Sequence, residues 1–291
     1  MSLTRRRFLT ITSAACLASP LDARASWSGH AFGAEARIEL GAGAGAQALP
    51  AALDTIRRME ALFSLYDPNS ALSRLNREGH LVMPPEFAAL MDRVDQAHRS
   101  TGGLFDPTIQ PIWWAYAMGK AAPDIGAGWD AVKRAGQRLD LQGDMALTLN
   151  GIAQGFATDK VKAVLMAHGL TDILVNVGEY ATGDVPKTIG IATASGQLMT
   201  HLSLQNSAVA TSSPDALRFK NGRSHIIAPV TSQTPLVWST ISVKAKTATM
   251  ADALSTALCL TPDDQLARQL VKRGFAEQVW LKSVSGDLIK V

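Results

Sequence analysis

Cysteine is almost missing from this chain: two in 291 residues, at positions 16 and 259. Such a chain has no disulfide framework. If its N-terminal segment is removed, Cys259 stands alone, so a buried core must hold the fold together. Net charge is nearly missing too. The formal +3 comes wholly from the first 25 residues, which carry four arginines and one aspartate, and the other 266 balance 24 basic against 24 acidic side chains. That neutrality excludes the basic footprint of a nucleic-acid binder. The N-terminal apolar stretch, Phe8 to about Leu17, falls far short of the roughly 20 residues of a spanning helix, and Pro20 closes it. No internal repeat is visible, and the longest Gly/Ala-rich linker is Gly41 to Gly45, expected as a surface loop.

Familiar chemical signatures are absent as well. No Gly-Lys-Ser/Thr loop and no dinucleotide glycine fingerprint occurs. None of the six histidines is paired at i, i+4, and Cys259 has no partner, so no metal spacing based on imidazole or thiolate exists. No Ser/His/Asp or Cys/His nucleophile arrangement can be assembled from spacing.

What is present begins with an export signal. Thr4-Arg5-Arg6-Arg7-Phe8-Leu9 puts paired arginines before the apolar stretch, and Ala23-Arg24-Ala25 offers small residues for cleavage. This is the twin-arginine pattern, and it predicts a periplasmic protein cleaved near Ala25, with no stable membrane insertion of the mature chain. Cys16 is not read as a lipid anchor, because Ser13 stands where a lipoprotein site wants an aliphatic residue.

Periodicity then sets the fold class. Leu53, Ile56, Met59, Leu62 and Phe63 share one face of a helix running from Pro50 to near Tyr66. A second helix follows Pro84-Pro85, repeats the spacing through Phe87, Leu90, Met91, Val94 and Ala97, and stops at Gly102-Gly103. A third spans about Phe156 to His168, with Gly169 as its stop. Short β-branched or alternating stretches at 173–177, 188–191, 201–204 and 236–243 read as strands. Helices at about 249–260 and 263–273 and closing strands at 278–281 and 288–291 complete the order. Helices, then strands, then both again favour α+β over alternating βαβ units.

Three local patterns could carry chemistry. Asp252 and Thr256 lie four apart, so both oxygens project from one face of a helix and could serve Mg²⁺, although an acidic residue there also simply complements the dipole. Leu149 to Phe156 links a strand to a helix through Gly151 and Gly155, which lets backbone approach a ligand or just makes a tight turn. His225, among apolar neighbours, reads by default as a satisfied core residue. His168 is expected to cap a helix end and His98 to face solvent.

Taken in order, these pieces resemble the ApbE family from about Ala31 to the C-terminus. The resemblance rests on Tyr66-Asp67-Pro68-Asn69-Ser70-Ala71-Leu72-Ser73-Arg74-Leu75-Asn76 and Thr101-Gly102-Gly103-Leu104-Phe105-Asp106-Pro107-Thr108. Four further segments follow: Gly151 to Asp159, Val175-Asn176-Val177-Gly178, Ser224-His225-Ile226 and Ala251 to Ala257. It implies one ApbE-like domain over residues 26–291, with a mixed, T-fold-related sheet and packed helices. It also implies an FAD:protein FMN transferase, in which a threonine hydroxyl of a membrane electron-transfer protein attacks the FMN phosphorus of FAD and AMP leaves. By position, Gly151, Asp252 and Thr256 would hold Mg²⁺. Tyr66, Leu104, Phe105, Asp106, Thr148, Gln154 and Ile227 would contact FAD, and His225 would take the threonine proton.

The sequence departs from the family pattern at several points. Ala228 stands where His-x-x-Asp-Pro has its aspartate, Gln154 replaces the usual charged residue before Gly155, Glu179 replaces a second glycine, and Phe32 replaces a common methionine. The loss at 228 keeps a non-catalytic FAD-binding accessory role open as the alternative, and hydrolysis of FAD by water as a third. Twin-arginine export suits the NosX branch, but no residue selects it.

Overall fold

The computed structural model describes residues 25–41, 45, 47–124, 126–229, 235 and 237–291. Residues 1–24 of the expected export signal and residues 42–44 of the expected surface loop lie outside them.

The described chain opens with a hairpin that periodicity had not announced: β1 (Ser26–Ala31) and β2 (Ala34–Leu40). Its turn uses two residues at positive φ, Phe32 at +52° and Gly33 at +79°; a bulky Phe is strained there, and its N–H is tied to Glu60 Oε1 at 2.9 Å. Helix α1 (Ala48–Phe63) follows and buries Ala52, Ile56, Met59 and Phe63, the expected face. A short helix, α2 (Ala71–Glu78), starts where the Ser70 hydroxyl caps the Ser73 N–H at 3.0 Å and ends on Gly79 at φ +74°. After β3 (His80–Val82), helix α3 (Pro85–Ser100) has Pro85 in its first turn and buries Phe87, Leu90, Met91, Val94 and Ala97. Helix α4 (Gln110–Ala117) and strands β4 (Lys133–Ala135) and β5 (Arg138–Asp140) lead to α5 (Ala153–Ala167), whose C-cap is His168 as expected.

Strands β6 (Ile173–Asn176), β7 (Tyr180–Thr182), β8 (Lys187–Ala192), β9 (Leu198–Leu204), β10 (Ala208–Ser212) and β11 (Trp238–Ala245) then run in sequence. Helices α6 (Ala248–Leu258) and α7 (Gln265–Lys272) and strands β12 (Gln278–Ser283) and β13 (Leu288–Lys290) close the chain. The α+β class holds.

Eight strands form the main sheet in the order β1-β2-β6-β7-β10-β11-β12-β13. Each pairing in it is antiparallel, so the mixture implied by the resemblance is absent among the described strands; neighbours are joined by hairpins or by returns that reverse direction. The core lies on the helical side, where α5 packs between α1 and α6 and α6 lies against β10 and β11. Cys259 is buried in that core, the small hydrophobe its sequence context suggests, and burial pushes its thiol pKa up. No helix among the described residues is long and apolar enough to cross a membrane.

Candidate functional site

Two glycines decide where the site forms. A Cβ on Gly155 would fall 2.3 Å from the Ala248 carbonyl oxygen, and one on Gly151 would fall 2.9 Å from Thr256 Oγ1. The start of α5 therefore meets α6 at backbone distance, and only residues without a side chain allow it. The expected close approach is real, but at Gly155 it serves another helix rather than leaving backbone bare. Nor does a strand precede it: residues 145–150 are irregular, and Thr148 N–H donates to the Pro107 carbonyl at 2.8 Å.

Bonds across this junction fix the acidic residues. Gly155 N–H donates to Asp252 Oδ2 at 3.1 Å. Asp159, one turn further along α5, accepts from Ala248 N–H at 2.8 Å, Thr249 N–H at 2.9 Å and the Thr249 hydroxyl at 2.5 Å. Its carboxylate thus caps the N-terminus of α6. On the other side of α6, Ser212 at the end of β10 lies 2.8 Å from Ser255 Oγ and 3.3 Å from Thr256 Oγ1.

These contacts border a cavity that opens to solvent. Tyr66, Leu104, Phe105, Asp106, Thr148, Gln154 and Ile227 line it, together with Gly151, Asp252, Thr256 and His225. Every residue that the motifs single out as catalytic, cofactor-binding or metal-binding therefore faces one space. Tyr66 stands at 54% exposure on its rim, whereas Phe105 and Ile227 are buried in its wall.

The Thr101–Thr108 motif is a rigid wall of this space. Gly102 and Gly103 take positive φ, the Thr101 hydroxyl accepts from Phe105 N–H at 3.1 Å, and His98 Nδ1 meets the Phe105 carbonyl at 2.9 Å. His98 thus does not face solvent as expected; it is half-buried, because its ring braces the loop. Asp106 is braced as well: Oδ1 accepts from Thr108 N–H and Oγ1 at 2.8 and 2.6 Å, and Oδ2 from Trp129 N–H at 3.0 Å. Its carboxylate shapes the loop and offers a ligand only what those bonds leave.

His225 is held by the Leu217 carbonyl, 3.0 Å from Nδ1. A carbonyl only accepts, so Nδ1 carries the proton and Nε2 is left as the acceptor. Burial lowers the ring's pKa, with the Leu217 and Pro214 carbonyls acting in the opposite sense, and the neutral form is favoured. Ala228, at the position of the absent carboxylate, is buried among apolar residues. The orienting partner is a backbone oxygen instead, which sequence spacing could not reveal.

Charge is the other property of the cavity. Asp106, Glu179 and Asp252 line it, and no lysine or arginine does among the described residues. Burial pushes Asp252 up to about 7, opposed by the Gly155 hydrogen bond and assisted by the nearby Asp159 charge. Glu179 is raised well above its ordinary value, by burial first and then by Asp252, with the Thr211 hydrogen bond acting in the opposite sense. Sequence reasoning noted Glu179 only as a departure from the family's second glycine, with no role attached, and Ser212 escaped it. Glu179 follows Gly178, a turn glycine at φ +102° whose added Cβ would lie 2.6 Å from the Gln154 side chain.

A hard divalent cation fits what is present. The Asp252 carboxylate, the Thr256 hydroxyl and the Gly151 backbone are hard oxygen donors, in a wall whose buried acidic groups lack any cationic side chain. Among the described residues no three His, Cys, Asp or Glu side chains converge as a metal cage, and Mg²⁺ characteristically takes a partial protein set with phosphate and water completing it.

Comparison with known proteins agrees with this geometry. The model of the ApbE family matches residues 32–279. An FAD:protein FMN transferase of Chlamydia muridarum is 27% identical over 241 residues, covering 74% of this chain and 76% of that protein. One from Treponema pallidum is 28% identical over 263 residues, covering 72% and 70%. Among solved structures, the ApbE protein of Thermotoga maritima superposes with a TM-score of 0.82 at 20% identity, covering 92% of this chain and 97% of that one. The flavin transferase ApbE of Vibrio cholerae gives 0.75 at 19%, covering 92% and 96%. Since the matched residues run from the hairpin turn at Phe32 through every wall of the cavity to β12, the chain belongs to the ApbE family.

Proposed function

We propose that this protein is an FAD:protein FMN transferase that is exported by the twin-arginine route, works in the periplasm and depends on Mg²⁺. Its acceptor is a threonine of a membrane electron-transfer protein. The observation that carries this reading is the convergence of all eleven motif residues on one cavity that, among the described residues, is lined by carboxylates and hydroxyls but by no lysine or arginine. A diphosphate is repelled from such a space unless a cation accompanies it. A divalent ion held at Gly151, Asp252 and Thr256 would neutralise the diphosphate and the charge that develops on it.

The chain's own residues do the rest. Tyr66 on the rim and Leu104 and Phe105 in the wall supply apolar and aromatic surface for a flavin ring. The glycine turn at 178 and the Gln154 side chain packed on it shape the floor. His225, with Nδ1 committed to Leu217, accepts the threonine proton at Nε2. The threonine oxygen bonds to the FMN phosphorus as the bond from that phosphorus to the bridging oxygen breaks, and AMP leaves.

Incubation with FAD, Mg²⁺ and an acceptor domain is expected to add one FMN to a threonine, read by intact mass, with an equal amount of AMP. An acceptor that stays unmodified here, yet is loaded by another family member, would rule the reading out. The buried alkyl group at 228 favours one competitor, an FAD-binding accessory protein without turnover. That role predicts bound FAD and no AMP with any acceptor.

A further inference from the structure

Glu179 brings into the cavity a carboxylate that the glycine of the family pattern could not supply. The turn beneath it is firmly built: Asn176 Oδ1 accepts from Gly178 N–H at 2.9 Å, and the Thr158 hydroxyl donates to the Glu179 carbonyl at 3.2 Å. Glu179 Oε2 accepts from Thr211 N–H at 3.3 Å. The next residue of β10 is Ser212, whose hydroxyl reaches Thr256 Oγ1. One strand end therefore ties Glu179 to the hydroxyl of the cation donor set. Asp252 lines the same cavity, and its charge opposes that of Glu179. Two carboxylates that repel each other, with no lysine or arginine among the described residues lining the same space, are relieved by a cation shared by both.

We infer that Glu179 is a further oxygen donor to the divalent cation, joining Gly151, Asp252 and Thr256, so that the ion is held before the flavin nucleotide arrives. Two carboxylates balance a doubly charged ion by themselves. A site with glycine at 179 has one and leaves the balance to the incoming diphosphate. The inference rests on the cation reading proposed above.

Mn²⁺ is the probe, with its free concentration followed by electron paramagnetic resonance over purified, nucleotide-free protein. The unsubstituted protein is expected to take up Mn²⁺. Glu179→Gln keeps the acceptor for Thr211 N–H but loses the charge, and should bind Mn²⁺ about tenfold or more weakly. Glu179→Asp retains the charge on a shorter stem and should fall between the two; it serves as the reading if the glutamine variant does not fold. Equal Mn²⁺ affinity in the unsubstituted and variant proteins overturns the inference. So does uptake of Mn²⁺ only after FAD is added, which leaves the cation–diphosphate reading intact. Asp252→Asn binding Mn²⁺ and FAD together as well as the unsubstituted protein would sink that underlying reading instead.

Discussion

Gly155 N–H donates to Asp252 Oδ2 at 3.1 Å across 97 residues of sequence, binding the first turn of α5 to the second turn of α6. The bond exists because Gly155 has no Cβ to collide with the Ala248 carbonyl. Gly155→Ala is therefore expected to push the two helices apart, costing about 1–3 kcal/mol of stability. Cation affinity should fall with it. Denaturant unfolding together with a Mn²⁺ titration checks both, and an alanine variant as stable and as cation-competent as the parent would refute the packing argument.

Asp252 links pH to stability. Its folded-state pKa is about 7, above the unfolded carboxyl near 3.9, so the fold favours the protonated form. The contribution is complete below about pH 4 and is lost as pH climbs through 7. In chelator-treated protein, stability should fall across that window with a slope of up to about 1.4 kcal/mol per pH unit from this group. Asp252→Asn should flatten the slope, and added Mg²⁺ should reverse it in the parent only. Melting curves at several pH values decide it.

His225 is set up as a base without a carboxylate behind it. His225→Ala should lower FMN transfer by roughly 10²–10⁴-fold while FAD remains bound. Because burial lowers the pKa, the rising limb of transfer rate against pH should lie below the ordinary histidine value near 6.5. Restoring the family carboxylate with Ala228→Asp should bring no gain in rate, since Leu217 already fixes the ring, and should cost stability because the site is buried and apolar. A large rate increase in that variant would contradict the role given to Leu217.

Asp159 caps α6 with three hydrogen bonds. Asp159→Ala is expected to cost about 2 kcal/mol and to loosen the start of the helix that carries Asp252. Hydrogen exchange at Ala248 and Thr249 N–H should rise well above that of the parent. Unchanged exchange would mean that the N-cap Thr247, whose hydroxyl accepts from Met250 N–H at 3.3 Å, holds the first turn without Asp159.

Helices α1 and α3 were legible because each buries one face, and a single buried face writes a 3.6-residue period into the sequence; α6 is buried on nearly every side and shows instead as an apolar run. The hairpin β1–β2 was not. Residues 26–31 alternate weakly, and their turn depends on a Phe in a conformation that composition does not announce. Strands β7 and β10 are short and small-residue-rich, and pairing with neighbours distant in sequence defines them. Helix α2 was hidden inside a motif that drew notice for its order of residues.

Residue order by itself determined the faces of α1 and α3 and the family resemblance, and through that resemblance eleven of the residues that line the cavity, though not Glu179 or Ser212. The faces follow from periodicity and the resemblance from motifs that lie contiguously along the chain. Which partner each polar group takes was decided only by the tertiary structure: Leu217 for His225, Gly155 for Asp252, Thr211 for Glu179. Those partners are 8, 97 and 32 residues away, and all three are backbone groups, a carbonyl and two N–H groups, of kinds found along the whole chain. The packing of α5 on α6, and of α6 against β10, selects which of those backbone groups is within reach.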